Sequence, residues 1–432
     1  MTQLLNLWNW LRSSLWLIPC VMSLVAFGLA LLADHLDVLY HSTQNKIWPQ
    51  WLVYQGDLDG ARLLLSTVAG SMITVAGVSF SITMVALSLA SNQFGPRLLM
   101  NFMRDTGNQL VLGTFVSTFL YCLLSLGNGA GSTGQPPAIS ASIGLLLAIV
   151  SVFVLIYFIH HVSSTIRAEQ VIKMVARESL TSIMCLTQLD NCDHIKAKET
   201  ICKWSGSDSF MVPSPRSGYI QAIDEDGLIQ DGHSLDAIVE LQVRPGKFIT
   251  NGEPLAVVQA KRWHKNEATK FARHFIIGHC RTDDQDPEYG VSQLVEVAVR
   301  ALSPGINDPH TAMGCIDWLA SGLIQIADKP LKGPYCGDEH GHVRLIRQPV
   351  DFQGLVRTAF DQIRQNAQSI PAVAIHLLDA LVRIHRATGS SSRKEFLEGQ
   401  ARQVLKSAST CDWQPHDLED LKIRFRGLLE AS

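Results

Sequence analysis

Seven small or hydroxyl-bearing residues recur on one side of a long uncharged stretch, where they could line a path for water or ions. Residues 63–90 contain no charged side chain. A helix of that length rises about 42 Å, which is more than the ~30 Å that the hydrocarbon core of a bilayer requires. At about 100° per residue, the small residues fall within about a third of the helix circumference. The seven residues are Thr67, Gly70, Ser71, Thr74, Gly77, Ser81 and Ser88.

We call this set the small-residue face, and its composition has two interpretations. Small residues let helix backbones approach closely in lipid, which favours tight packing against another helix. Hydroxyl groups at membrane depth also suit the wall of a water-filled path, which favours a pore. The seven residues are therefore candidate pore-lining residues, and composition alone leaves packing and pore formation open.

A second polar group surrounds a predicted break between two helices, which we call the elbow. Apolar periodicity over residues 290–302 predicts one helix, and Ser-Pro-Gly at 303–305 ends it. Asp308 followed by a proline is typical of a helix start. Carboxylate and amide oxygens at a turn can hold a cation or a polar ligand, whereas a helix cap needs no ligand at all. The candidate residues of the elbow are Arg281, Asp286, Asn307 and Asp308.

Residues 336–342, with the sequence CGDEHGH, contain the cluster that most resembles a metal site. A cysteine, two histidines and two acids fall within this short segment. Zinc sites usually combine two separated ligand pairs, and the sequence offers no second pair at a matching spacing. We therefore expect no bound metal, and Cys336, His340 and His342 are only weak candidates for metal ligands.

The elements that must position these residues begin with four predicted membrane spans. Apolar runs place them at about 14–33, 63–90, 109–126 and 138–159 within a transmembrane domain of residues 1–161. Arg97 and Arg104 flank the second loop, and Arg167, Lys173 and Arg177 follow the fourth span, whereas the loop between spans three and four has no basic residue. Because basic residues favour the cytoplasmic side, we expect both termini in the cytoplasm.

The composition supports a membrane protein with a water-soluble C-terminal part. The chain has 432 residues, of which 47% are hydrophobic and 17% are charged, and its net charge is −3. This near-neutral balance argues against a nucleic-acid partner. The nine cysteines form no CxxC pair, which suits a reducing compartment for the C-terminal part.

The C-terminal part divides into three predicted segments. Residues 162–208 are a helical stalk and linker, whose apolar stripe packs either on the soluble domain or on sister stalks in an oligomer. Residues 209–259 contain short β-rich runs that resemble the barrel-sandwich fold of biotinyl and lipoyl carriers. The segment 223–227, at the position of the carriers' modified hairpin, has no lysine, so the resemblance implies the fold without a cofactor. Residues 260–432 are predicted to be mainly helical, with four helices after residue 350.

Three separated motifs together resemble one bacterial family of predicted membrane proteins, domain of unknown function 2254. They are VSFSITMVALSLASNQFGPRLL at 78–99, GYIQAID at 218–224 with RPGKFITNGEPLA at 244–256, and VAVRALSPGINDPHTA at 297–312. The resemblance covers nearly the whole chain. It implies an integral protein of the bacterial inner membrane with a cytoplasmic C-terminal part, and it carries over no catalytic residues.

The predicted fold is an α-helical membrane protein of four spans with a cytoplasmic α+β part. The favoured function is a channel or transport component gated by its cytoplasmic domain, acting as a homo-oligomer in the lipid bilayer. The alternative is a membrane-anchored scaffold or sensor without a pore. An enzyme is the least favoured, because the sequence has no GxSxG, HExxH or Walker A motif.

The placement of basic residues leads to a prediction about topology. A cysteine introduced at Ser132, between spans three and four, should react with a membrane-impermeant thiol reagent added outside intact cells. A cysteine at Ser390 should react only after the cells are opened, and it serves as the matched control. Labelling of Ser390→Cys in intact cells, with Ser132→Cys protected, would contradict the four-span topology.

Overall fold

The computed structural model describes residues 16–42, 53–95, 105–129, 136–165, 168–187, 208–264 and 266–430. The chain forms two compact units, Met1–Gln170 and Val171–Ser432. We call them the membrane unit and the C-terminal unit.

The membrane unit contains four helices that are long and apolar enough to cross a bilayer, as the sequence predicts. Each helix is longer than its predicted span, because helical structure continues beyond the apolar window. The helices are α1 (Leu17–Ser42), α2 (Leu58–Phe94), α3 (Thr106–Gly129) and α4 (Ala138–Thr165).

Helix α3 lies at the centre of the membrane unit and packs on the other three helices. In the most apolar stretch of α3, 44% of the residues are buried, against 17–22% in the corresponding stretches of the other three helices. One core cluster places Ala26 and Ala30 of α1 and Leu65 of α2 with Tyr121 of α3. Alanines on α1 give the large tyrosine room beside the backbone, so small residues permit the close approach of helices.

A buried carboxylate joins the end of α1 to the start of α4. Asp37 is 6% exposed and accepts hydrogen bonds from the backbone N–H groups of Ile139 (2.7 Å) and Ser140 (3.1 Å). The Ser140 hydroxyl donates to the same carboxylate at 2.6 Å. The first N–H groups of a helix have no intrahelical partner, and a carboxylate is favourable at this positive end. The sequence predicts that the first span ends near residue 33, whereas α1 continues to Ser42. The continuation is possible because Asp37, which lies beyond the predicted end, is buried with partners at the start of α4.

The C-terminal unit contains two sheets over one shared apolar core. The first has the order β1-β5-β3-β8-β7 and is antiparallel except for the parallel pair β3–β8, and the second has the order β4-β2-β6. The strands are β1 (Asp208–Pro213), β2 (Gly218–Ile223), β3 (Ile238–Leu241), β4 (Phe248–Ile249), β5 (Pro254–Ala260), β6 (Phe275–Gly278), β7 (Tyr335–Gly337) and β8 (Val343–Ile346).

The sheets differ from the expected barrel sandwich in two respects. The predicted hairpin at 223–227 is wrong, because a helix, Glu225–Ser234, begins there with Asp224 as its cap, accepting a hydrogen bond from the Gly227 N–H. Strands β6, β7 and β8 also come from beyond residue 259. The sheets are therefore completed by residues distant in sequence, and the barrel-sandwich fold itself stays a prediction.

Helices dominate the rest of the C-terminal unit. Continuing the numbering, they are α5 (Ala168–Cys185), α6 (Glu225–Ser234), α7 (Glu267–Ala272), α8 (Pro287–Ala301), α9 (Pro309–Ile326), α10 (Phe352–Asn366), α11 (Pro371–Arg386), α12 (Ser391–Ser409) and α13 (Pro415–Glu430). Helix α8 packs on α9 and α10, and α9 packs on α11.

The apolar stripe of α5 is buried within the C-terminal unit. Val175 is fully buried, Ser179 lies against Gly290 of α8, and Ile183 lies against Gly322 of α9. Of the two predicted alternatives, the stripe therefore packs on the C-terminal unit of its own chain. Residues 166, 167 and 188–207 lie outside the described residues, so the continuity of the stalk with α4 stays a prediction.

The cap of α9 leads to a prediction about stability. Removing a side-chain cap costs ~1 kcal/mol, so Asp308→Ala should lower the unfolding free energy by about that amount. Thermal unfolding of the purified protein should show the same loss with and without divalent ions. Asp351→Ala is the matched control, since Asp351 caps α10 through the Gly354 N–H. A larger loss for Asp308→Ala that appears only with divalent ions would point to a cation at the elbow.

Candidate functional site

The small-residue face of α2 is exposed among the described helices of the membrane unit. All seven candidate residues are exposed in the structure. The side of α2 that packs inside the membrane unit carries Ala61, Leu65, Ala69, Met72 and Ala76, which are 0–9% exposed. Packing among the described helices of the membrane unit uses this other side, and the small-residue face stays exposed there.

Three of the five hydroxyl groups of this face, those of Thr67, Ser71 and Thr74, bond to the backbone of their own helix. Thr67 Oγ1 donates to the Leu63 carbonyl at 2.7 Å, Ser71 Oγ donates to the Thr67 carbonyl at 2.7 Å, and Thr74 Oγ1 donates to the Gly70 carbonyl at 2.8 Å. A hydroxyl satisfied in this way can face hydrocarbon at small cost. A Cβ atom added at Gly70 or Gly77 would meet no atom within 4 Å. The part of the face from Thr67 to Gly77 is therefore open, and its hydroxyl groups have hydrogen-bond partners within the helix.

The first half of the elbow is an ion pair at the start of α8. Arg281 contacts the Asp286 carboxylate at 2.7–2.8 Å, and Asp286 is 3% exposed. Burial raises the pKa of Asp286, although the Arg281 guanidinium opposes this shift. The carboxylate also lies against Gly246, whose φ is +88°, so that a Cβ atom there would collide with it. This pair therefore fixes the turn before β4 to the start of α8.

The second half of the elbow is the cap of α9. Asp308 accepts hydrogen bonds from the Thr311 N–H (3.1 Å) and the Thr311 hydroxyl (2.6 Å), and these bonds lower the pKa of its carboxyl. The preceding Asn307 has a positive φ of 50°. Helix α8 separates the two halves by 15 residues, which corresponds to roughly 22 Å. The four elbow candidates therefore do not form one site.

The cysteine and the histidines of the 336–342 segment also separate. Cys336 lies on β7, 3% exposed, in the shared core of the two sheets. His340 and His342 are exposed on the turn that follows. Both donate their backbone N–H groups to Asp338 at 3.0 Å. In the part of the chain that the structure describes, no three His, Cys, Asp or Glu side chains are grouped so that they could hold a metal ion.

Asp338 joins the β7–β8 turn to the rest of the C-terminal unit. Arg344 Nε and His233 Nδ1 each lie 2.9 Å from the Asp338 carboxylate. Burial alone would raise the pKa of Asp338, but these partners outweigh it and hold the pKa well below its usual range. Arg344 also donates to Asp236 at 2.9 Å. This ion-pair network connects parts of the fold. The sequence does not predict it, because His233 and Asp236 lie about 100 residues before their partners Asp338 and Arg344.

Two pairs in the membrane unit were also missed. Asp37 caps α4, and its signal in the sequence was an acidic residue directly after an apolar run. His161 Nε2 lies 2.6 Å from Asp105 Oδ2, joining the end of α4 to the residue before α3, and the His161 ring stacks on Tyr157. The histidine was visible in the sequence at the end of the fourth span, but its partner lies in a distant loop.

Comparisons with known proteins agree with this architecture. Three curated relatives are 28% identical over 413 residues, which is 93% of this chain and 77% of each relative. They are uncharacterised proteins from Mycobacterium tuberculosis strains CDC 1551 and H37Rv and from Mycobacterium bovis. No solved structure matches the chain.

One family of predicted membrane proteins matches most of the chain. The match runs over residues 12–383, so it includes the four candidate spans and extends through the sheets into α11. The description of the family is predicted membrane protein, and the four apolar helices agree with it. The chain therefore belongs to the family of predicted membrane proteins known as domain of unknown function 2254.

Proposed function

We propose that the protein is a homo-oligomeric channel or transport component in which the small-residue faces of several copies surround a path through the membrane. The observation that carries the proposal is the exposure of all seven residues of this face on a helix of 37 residues. Residues of small volume and hydroxyl groups suit the wall of a narrow aqueous path. Such a path needs several copies, since the face has no partner helix within the described part of one chain.

The length of α2 supports this role. Its candidate span covers 36 residues, whereas ~20 residues are enough to cross a bilayer. A helix that extends beyond the hydrocarbon can present a continuous face from one aqueous side to the other. Large apolar residues exposed on other sides of α2, such as Ile73 and Phe80, suit contact with lipid, whereas Val78 and Val85 lie between the small residues of the face.

The proposal places the protein in the bacterial inner membrane with both termini in the cytoplasm. Its support is the placement of basic residues around the second loop and after the fourth span, together with bacterial relatives. Helix α5 begins three residues after α4 ends, and its apolar stripe is buried in the C-terminal unit. This short connection is a direct route by which the C-terminal unit would gate a path through the membrane. The proposal includes no catalytic step.

A second candidate function is a scaffold or sensor in which the same faces pack together without water. The hydroxyls that bond to their own helix favour it, because they need no water or ligand. Open glycines favour it as well, since small residues let backbones of neighbouring copies approach closely. Both functions require a homo-oligomer. They differ in whether the small-residue face contacts water or packs against other copies without water.

Thiol accessibility separates the two functions. For a wet face, Ser71→Cys and Thr74→Cys should react with a small water-soluble thiol reagent in membranes, with peptide mass spectrometry distinguishing them from the native cysteines. Ile73→Cys is the matched control, since Ile73 is 46% exposed at the same depth but lies off the face. Protection of both face cysteines would exclude an aqueous path and favour the scaffold.

Added bulk gives an independent test of the same face. In a wet path, Ser71→Leu should leave assembly intact and lower ion flux into liposomes, since the larger side chain narrows the path. In a dry interface, overpacking costs ~1–3 kcal/mol and should weaken the oligomer. Size-exclusion chromatography with light scattering measures assembly in the same preparation. Loss of the oligomer for Ser71→Leu, without any flux in the native protein, would contradict the channel.

A further inference from the structure

A cleft lies between α2, α3 and α4 near the end of the bundle where α3 begins. Its walls are mainly apolar, formed by Phe80, Met84 and Leu87 of α2, Leu112 of α3 and Phe158 of α4. Phe80 is 50% exposed and Met84 is 45% exposed, although both lie within a candidate span. The open side of the cleft is therefore formed by apolar residues at membrane depth, where the surrounding medium is lipid.

One polar atom in this cleft has no partner. The Asn108 side chain belongs to the cleft wall, and its Oδ1 atom is buried without a hydrogen-bond partner among the described residues. A buried acceptor that stays unsatisfied costs ~1–3 kcal/mol, and hydrocarbon offers no water to satisfy it. The cleft therefore suits a ligand that brings a hydrogen-bond donor to Asn108.

The cleft changes from polar to apolar along α3. Asn108 and Gln109 lie in the first turn of α3, and Leu112 lies one turn further into the span. Asp105 directly precedes the helix, where it contacts His161 at 2.6 Å and accepts a hydrogen bond from the Gly107 N–H, so a carboxylate lies near the polar end. A ligand that fits this arrangement has a positively charged donor at one end and a hydrocarbon chain at the other.

We propose that this cleft binds a membrane phospholipid with a primary ammonium headgroup, of the phosphatidylethanolamine type. The ammonium donates a hydrogen bond to Asn108 Oδ1, and an acyl chain packs against Phe80, Met84 and Leu112. A phosphatidylcholine headgroup has no donor, so it leaves Asn108 unsatisfied. The site lies on the part of α2 that faces α3 and α4, and it does not depend on a pore.

The test measures lipid binding to the full-length protein in detergent by native mass spectrometry. Phosphatidylethanolamine, phosphatidylglycerol and phosphatidylcholine with identical acyl chains are titrated separately. One charge-assisted hydrogen bond corresponds to about a tenfold preference, so phosphatidylethanolamine should bind about tenfold more tightly than phosphatidylcholine. Equal binding of these two lipids overturns the proposal. A preference for phosphatidylglycerol over phosphatidylethanolamine also overturns it, since it assigns the donor to a hydroxyl.

Two variants locate the preference at the cleft. Asn108→Leu should abolish the tenfold difference, and without lipid its melting temperature should be unchanged or higher, because the unsatisfied acceptor is gone. Met84→Trp should weaken binding of phosphatidylethanolamine by filling the open side, and it keeps the test decisive if Asn108→Leu does not fold. Ile82→Val is the matched control, since Ile82 is exposed on α2 outside both the cleft and the small-residue face, and it should keep the native preference. Retention of the preference by both cleft variants would overturn the assignment.

Discussion

The membrane unit depends on a constraint that water-soluble proteins do not face: every backbone N–H and C=O group in hydrocarbon needs a partner from the protein. Asp37 meets this constraint where α1 ends, by accepting two backbone N–H groups at the start of α4. Tyr121 of α3 donates its hydroxyl to the carbonyl of Ser140 at 3.0 Å, so a third helix joins the same junction. Three of the four membrane helices are therefore fixed to one another at one polar cluster.

The same constraint explains how the small-residue face remains exposed. The hydroxyls of Thr67, Ser71 and Thr74 bond to carbonyl groups of the preceding turn, which lowers the cost of placing them away from water. Gly70 and Gly77 carry no side chain, so another helix can approach the backbone closely there. The chain thus packs through alanine, leucine and methionine on one side of α2 and keeps a polar but satisfied surface on the other. Such a surface is available to other copies of the chain or to water.

In the C-terminal unit, charged pairs fix the segments that join distant parts of the sequence. Strands β3 and β8 pair in parallel although about 100 residues separate them, and the elbow helices lie within that interval. Asp338 and Arg344 connect the β7–β8 turn to α6 and to the residues before β3. Asp286 and Arg281 connect the elbow to the turn that precedes β4. Asp286, Asp308 and Asp338 thus all have partners within the protein, which gives each of these carboxylates a structural role.

The sequence by itself determined the elements whose signal is local. Apolar runs identified the four spans, the periodicity of α5 identified its buried stripe, and Asp308 followed by proline identified the cap of α9. The four helices after residue 350 were also found, because periodicity and breaks depend only on neighbouring residues. Only the tertiary structure decided which polar residues meet. Contacts between segments far apart in the chain decide three features: the partners of Asp37, the separation of Asn307 from Asp286, and the direction of the small-residue face. Helical spacing carries no information about such contacts.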